Sequence, residues 1–237
     1  MRDAETPRKS EVIVALDVPR AADIQPLVKQ IPDAIRWYKV GLELFISEGH
    51  EAVRVLTDMG KQIFLDLKLH DIPRTVERAV HTASAHKVGL LTVHASGGPA
   101  MLQAAADAAK ACDNPPLVVA VTALTSLDQA DLTALGVTRD LKDHARALGR
   151  LAIDSGIDGL VCSPHEAAAL RSDLGPEPIL VTPGIRMPEG DVGDQKRVAT
   201  PADAVAAGSD FLVVGRPIVQ ADNPTQAALR ILENMKK

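Results

Sequence analysis

Residues 64–73 read FLDLKLHDIP. Side chains alternate across a strand, so Asp66 and Lys68 share one face while Leu65, Leu67 and Leu69 share the other. The leucine face needs an apolar layer to pack against. The Asp and Lys, roughly 7 Å apart along the chain, need a place for paired charge, because an unpaired buried charge is costly. A parallel barrel offers both, with helices outside and a polar mouth at the C-terminal ends of its strands. Pro73 is placed to open a helix after the strand. Asp71, just before it, reads equally well as the N-cap of that helix or as a third member of the charged group.

Working outward from this stretch, short apolar runs recur along the chain. They are EVIVALD (11–17), IRWYKVG (35–41), QIFLDLK (62–68), LLTVHAS (90–96), LVVAVTAL (117–124), GLVCS (159–163), PILVTPGI (178–185) and DFLVVGRP (210–217). Most are nearly continuous in Val, Ile and Leu, the pattern of parallel strands buried on both faces. Amphipathic, Ala-rich segments lie between them, at 75–87, 99–110, 144–156, 164–175, 200–208 and 223–237. Several open on Pro or a capping residue and close near Gly. Strands alternating with helices over this length predict a single-domain (β/α)8 TIM barrel spanning 11–237, after a flexible leader at 1–10. An open doubly wound sheet is disfavoured because no G-x-G-x-x-G follows the first strand.

Composition narrows the function. With 46% hydrophobic residues the chain of 237 can bury a large core, and with 2% aromatics that core is aliphatic. A net charge of −5 and so few stacking side chains argue against a nucleic-acid partner. No run approaches a membrane span and no apolar signal segment opens the chain, so a cytoplasmic protein is expected. Cys112 and Cys162 have neither zinc spacing nor a disulfide framework, and Cys162 reads as a small core residue. No His/Asp/Glu set has a metal-ligand spacing, so no metal is expected. The histidines on or near helices (His50, His81, His86, His144 and His165) read as solvated or capping residues, and His94 as a structural one.

Polar residues concentrate where the strands should end: Asp17, Lys39, Asp66, Lys68, His94, Ser96, Thr122, Thr125, Ser126, Arg186 and Arg216. Opposite charges about 4 Å apart attract by roughly 4 kcal/mol at an effective dielectric near 20, so an alternating network keeps its members ionised. Gly215-Arg216 after the last strand offers a backbone N–H and a guanidinium, a pair suited to phosphate. Arg186 and Gln195, in the long Gly- and Pro-rich segment 184–201, are placed to complete such a site from a loop or lid.

These same residues carry a resemblance. D-L-K-L-H-D-I-P-R-T (66–75) resembles the D-x-K-x-x-D-I-P-x-T signature of the orotidine 5′-phosphate decarboxylase family. A-L-D (15–17), Y-K-V-G (38–41), T-V-H-A-S-G-G (92–98), T-A-L-T-S (122–126), V-T-P-G-I-R (181–186) and V-V-G-R-P-I (213–218) resemble further blocks in that family's order. Arg74 departs from the family's usual Asn, outside the charged positions. The D-x-K-x-x-D core also resembles metal-dependent 3-keto-gulonate-6-phosphate decarboxylase and hexulose-6-phosphate synthase, but the I-P-x-T extension and the Thr125-Ser126 pair favour the orotidine branch. The resemblance implies a cofactor-free decarboxylase of orotidine 5′-monophosphate (OMP), yielding UMP, built as a homodimer of barrels with shared sites. It implies Lys68 as proton donor among Asp66, Lys39 and Asp71, with Asp71 and Thr75 reaching the neighbouring subunit's site. Asp17 and Lys39 would hold the ribose, Thr125 and Ser126 would lie near ribose and pyrimidine, and Arg186, Gln195, Gly215 and Arg216 would take the phosphate.

Overall fold

The computed structural model describes residues 9–188 and 197–237. Eight parallel strands close a barrel in sequence order: β1 (Glu11–Ala15), β2 (Trp37–Val40), β3 (Gln62–Leu69), β4 (Leu90–His94), β5 (Leu117–Val121), β6 (Gly159–Val161), β7 (Ile179–Thr182) and β8 (Phe211–Val214), with β8 pairing back onto β1. The helices are α1 (Ile24–Val28), α2 (Leu42–Glu48), α3 (His50–Asp58), α4 (Pro73–Ala85), α5 (Pro99–Lys110), α6 (Gln129–Ala134), α7 (Leu141–Asp154), α8 (Pro164–Leu174), α9 (Pro201–Ala206), α10 (Arg216–Val219) and α11 (Pro224–Asn234). This is the expected (β/α)8 architecture. The strands stop two or three residues short of most predicted runs, because the polar ends of those runs, such as Asp17 and Thr122, belong to the loops of the mouth.

Two cores account for the aliphatic composition. The larger lies between sheet and helices and takes Val12, Val14, Tyr38, Val40, Ile63, Leu65 and Leu91 from the outward faces of the strands. The smaller fills the barrel with Ile13, Ala15, Phe64, Leu90, Val119, Val121, Val161, Ile179, Val181 and Val213. Trp37 meets Phe211 edge to face, ring centroids 5.2 Å apart, next to this inner core. A Cβ at Gly159 would fall 2.3 Å from the Ile179 carbonyl oxygen, so β6 and β7 approach at a distance only glycine allows there.

Two local expectations change. Ile72, not Asp71, occupies the N-cap of α4, since Pro73 takes the first helical position. Asp71 instead accepts a 2.7 Å hydrogen bond from the Ile72 N–H on an exposed turn. β3 is also not a plain alternating strand: its register against β4 shifts between Leu65 and Leu69, and Lys68 adopts φ 51°. At the N-terminus, residues 1–8 of the expected leader lie outside the described residues, while Ser10 already donates a 2.7 Å bond to the Ser209 carbonyl.

Candidate active site

A cavity of about 690 Å³ opens at the C-terminal mouth of the barrel. Its apolar floor is the top of the inner core, including Ala15, Phe64, Val121, Val161 and Val213. On one side β1, β2 and β3 deliver a chain of alternating charges. Lys68 Nζ donates to both oxygens of Asp66 at 2.9 Å, Lys39 Nζ lies 3.8 Å from Asp66 Oδ2, and it donates to Asp17 Oδ1 at 3.2 Å. Exposure is lowest in the middle of this chain: the Asp17 side chain is 51% exposed and Lys68 29%, against 13% for Lys39 and 12% for Asp66. Asp66 therefore sits desolvated between two ammonium groups, an arrangement in which each charge is compensated by the next.

Glycines make the crowding possible. A Cβ at Gly41 would lie 2.6 Å from Lys39 Nζ, and one at Gly215 would lie 3.2 Å from Asp17 Oδ2. The glycines of Y-K-V-G and V-V-G-R thus leave room for the charged chain itself.

The same cavity is lined by Gly184 and Arg186 after β7, by Gly215 and Arg216 after β8, the strand beside β1, and by Thr125 and Ser126 on the loop after β5. The structure therefore brings together Asp17, Lys39, Asp66, Lys68, Thr125, Ser126, Arg186, Gly215 and Arg216. Asp71 and Thr75 are exposed and do not line this cavity. Gln195 lies outside the described residues, as do all of residues 189–196 of the expected loop or lid.

Several contributors had not been singled out. Glu43 from α2 and Gln220 beyond α10 join the wall, and Cys162 joins the lining after β6. Burial and then the neighbouring Glu166 push the Cys162 thiol well above its usual range, so it stays a neutral core group. Arg197 pairs with the buried Glu166 and donates to the Leu124 carbonyl at 2.9 Å, bracing the loop that carries Thr125 and Ser126. Glu166 also completes the capping box of α8 by accepting from the Ser163 N–H at 3.1 Å, and S-P-H-E is a capping-box signal legible in the sequence. Thr92, fully buried on β4, bonds both to the Lys68 backbone at 2.7 Å and to Asp66 at 3.1 Å.

His94 is half-buried beside His70, ring centroids 5.4 Å apart, and burial first, then His70 and Lys68, lower its pKa. It is neutral at pH 7. His165 contacts the Val198 carbonyl at 2.8 Å, and His50 stacks on His86 at 3.9 Å, so these histidines make contacts beyond solvation. Among the described residues no group of three or more His, Cys, Asp or Glu is arranged to hold a metal ion.

A parallel (β/α)8 barrel with a lysine–carboxylate chain and a Gly-Arg pair together in its mouth has the build of a barrel enzyme acting on a small anionic substrate. The chain belongs to the orotidine 5′-phosphate decarboxylase / HUMPS family, whose model matches residues 10–231. An orotidine 5′-phosphate decarboxylase of Anaeromyxobacter sp. (strain K) is 49% identical over 221 residues, covering 93% of this chain and 96% of its own. One from Opitutus terrae is 44% identical over 226 residues, covering 95% of this chain and 98% of its own. The crystal structure of orotidine 5′-phosphate decarboxylase from Lactobacillus acidophilus superposes with a TM-score of 0.85 at 35% identity, covering 97% of this chain and all of that one.

Proposed function

We propose that this barrel decarboxylates OMP to UMP and CO2, the last step of de novo UMP biosynthesis, with neither metal nor organic cofactor. Family membership and relatives sharing nearly half of its residues over almost the whole chain support the reaction. One observation carries the mechanism: the Lys68 ammonium is held by both oxygens of Asp66 inside a cavity that Arg186 and Arg216 also line.

The bond from C6 of the pyrimidine to the carboxylate breaks, and its electron pair stays on C6 as CO2 leaves. A fixed cation beside C6 stabilises that charge as it develops. Lys68 then gives C6 a proton and regains one from water. Asp66 keeps the ammonium in place, while Lys39 and Asp17 meet the ribose hydroxyls. Arg186, Gln195, Gly215 and Arg216 grip the phosphate, far from the reacting carbon, so that binding energy orients the ring. Thr125 and Ser126 contact the ribose and pyrimidine from the side.

Asp71 and Thr75 belong to the same proposal through a homodimer in which they serve the partner's cavity. Their exposure outside their own cavity supports this, as does the adjoining Ile72 at 67% exposed, an apolar side chain suited to burial against a second copy. The cytoplasmic location and the single 11–237 catalytic domain are part of the proposal too; no helix among the described residues is long and apolar enough to cross a membrane.

The test is turnover of OMP, followed by its loss of absorbance, with and without EDTA. Undiminished conversion to UMP in EDTA is expected. Conversion that vanishes with the chelator would instead assign the barrel to metal-dependent chemistry.

A further inference from the structure

Between the partner pairs Leu65–Leu91 and Leu69–Val93, β3 runs through Asp66, Leu67 and Lys68 while β4 supplies Thr92 alone. Extra residues in one strand interrupt the ladder and turn the chain. Inside this bulge Lys68 takes φ 51°, the left-handed region that L side chains rarely adopt. Among the described residues the other non-glycine with positive φ is Lys87, which follows the C-cap of α4, where a left-handed residue commonly ends a helix. Lys68 lies within a strand and has no such explanation.

The hydrogen bonds supply one. In a regular parallel ladder the Lys68 N–H would seek a backbone carbonyl on β4. Here it donates to Thr92 Oγ1 at 2.7 Å. The same hydroxyl donates its own proton to Asp66 Oδ1 at 3.1 Å, and Asp66 in turn receives Lys68 Nζ on both oxygens at 2.9 Å. The ring is closed: hydroxyl to carboxylate, carboxylate to ammonium, and the backbone of that same lysine back to the hydroxyl. Thr92 is fully buried, so bulk water does not replace it. One atom that both accepts and donates is what the position requires, and a hydroxyl is the side-chain group that does so.

We infer that Thr92 is a positioning residue for the reaction: its hydroxyl holds the Lys68 backbone in its left-handed turn and fixes the Asp66 carboxylate, together aiming the ammonium into the cavity. This rests on the proposed role of Lys68 as proton donor. Thr92 does not line the cavity, so its loss acts through Lys68 and Asp66 and leaves the ribose and phosphate contacts in place.

The experiment compares Thr92→Ser, Thr92→Cys and Thr92→Val with Lys68→Ala, measuring kcat and KM for OMP and binding of UMP by calorimetry. Val keeps the shape of Thr and removes both hydrogen bonds. A misplacement of about 1 Å costs on the order of 100-fold in rate, so Thr92→Val should lose about that in kcat. KM and the UMP dissociation constant should stay within about threefold, and Thr92→Ser should recover most of the rate. A Thr92→Val enzyme with wild-type kcat would overturn the inference, as would a loss that appears equally in Thr92→Ser. If Thr92→Val does not bind UMP as a folded protein, the order of kcat decides. Thr above Ser above Cys supports the hydroxyl, whose two roles a thiol fills weakly, and Cys equal to Thr refutes it. Lys68→Ala separates the two levels. If it turns over OMP, the proposed mechanism fails. If it is inert while Thr92→Val is fully active, only the role of Thr92 fails.

Discussion

Replacing Gly41 by Ala tests whether the charged chain in the mouth is as tightly built as its distances say. Gly41 has φ −96°, which any residue adopts, so the substitution brings no backbone strain. The new Cβ would lie 2.6 Å from Lys39 Nζ, and ordinary contact begins at 3.4 Å, so the ammonium has to retreat by about 0.8 Å. A retreat directed wholly away from Asp66, from 3.8 Å to about 4.6 Å, sets the largest loss of their attraction, about 0.8 kcal/mol at an effective dielectric near 20. The half-exposed Asp17 pair adds little because water screens it. That alone is about fourfold in kcat/KM, and misplacing a group that touches the substrate raises the ceiling to on the order of 100-fold. Stability should move the other way, since Gly→Ala at a compatible position removes unfolded-state freedom worth about 0.4–1 kcal/mol. Steady-state OMP kinetics and thermal melts on the same preparation provide the check. A variant with kcat/KM within twofold of wild type would refute the crowding, and a lower melting temperature would refute the claim that the backbone is unstrained.

Arg216→Ala should raise KM for OMP at least tenfold and leave the melting temperature unchanged, because Arg216 is exposed and lines the cavity; unaltered KM would remove it from the phosphate grip. Stability should fall below about pH 6.5. His94, lowered first by burial, and His86, lowered first by burial and then by His50, both favour the folded state while neutral. Their contribution is full above the unfolded value of 6.5 and is lost as pH drops through the lower folded values. Asp158, raised by burial, opposes this towards acid, so the diagnostic is the difference between wild type and His94→Asn, whose melting temperature should vary less between pH 6.5 and 5. If Asp71 serves the partner's cavity, inactive Lys68→Ala and Asp71→Ala chains mixed and allowed to exchange should recover about a quarter of wild-type activity, one intact site in half of the dimers. No recovery in verified heterodimers would leave Asp71 with its own subunit.

The barrel was legible because its strands are buried on both faces and so read as unbroken apolar runs. Even the three residues of β6 announce themselves in GLVCS. The site was legible where a polar residue ends such a run, as with Asp17, Arg186 and Arg216. The bulge of β3 was not, because D-L-K-L keeps a perfect two-residue alternation straight through the register shift. Thr92 was hidden for a related reason: inside LLTVH it reads as one more β-branched strand former. Arg197 and Glu166 lie 31 residues apart, beyond any local spacing rule. Asp71 was open to misreading as an N-cap because Asp is favoured there, yet Pro73 at the first helical position moves the cap to Ile72.

The most direct measurement of the central claim is turnover of OMP by Lys68→Ala beside its affinity for UMP. Lys68 is held in place by Asp66 and Thr92 and is partly exposed, so its truncation should leave the fold and the ribose and phosphate contacts intact. The expected result is UMP bound within a few-fold of wild type and no detectable loss of OMP absorbance. Turnover at a wild-type rate would contradict the assignment of Lys68 as the group that stabilises and protonates C6.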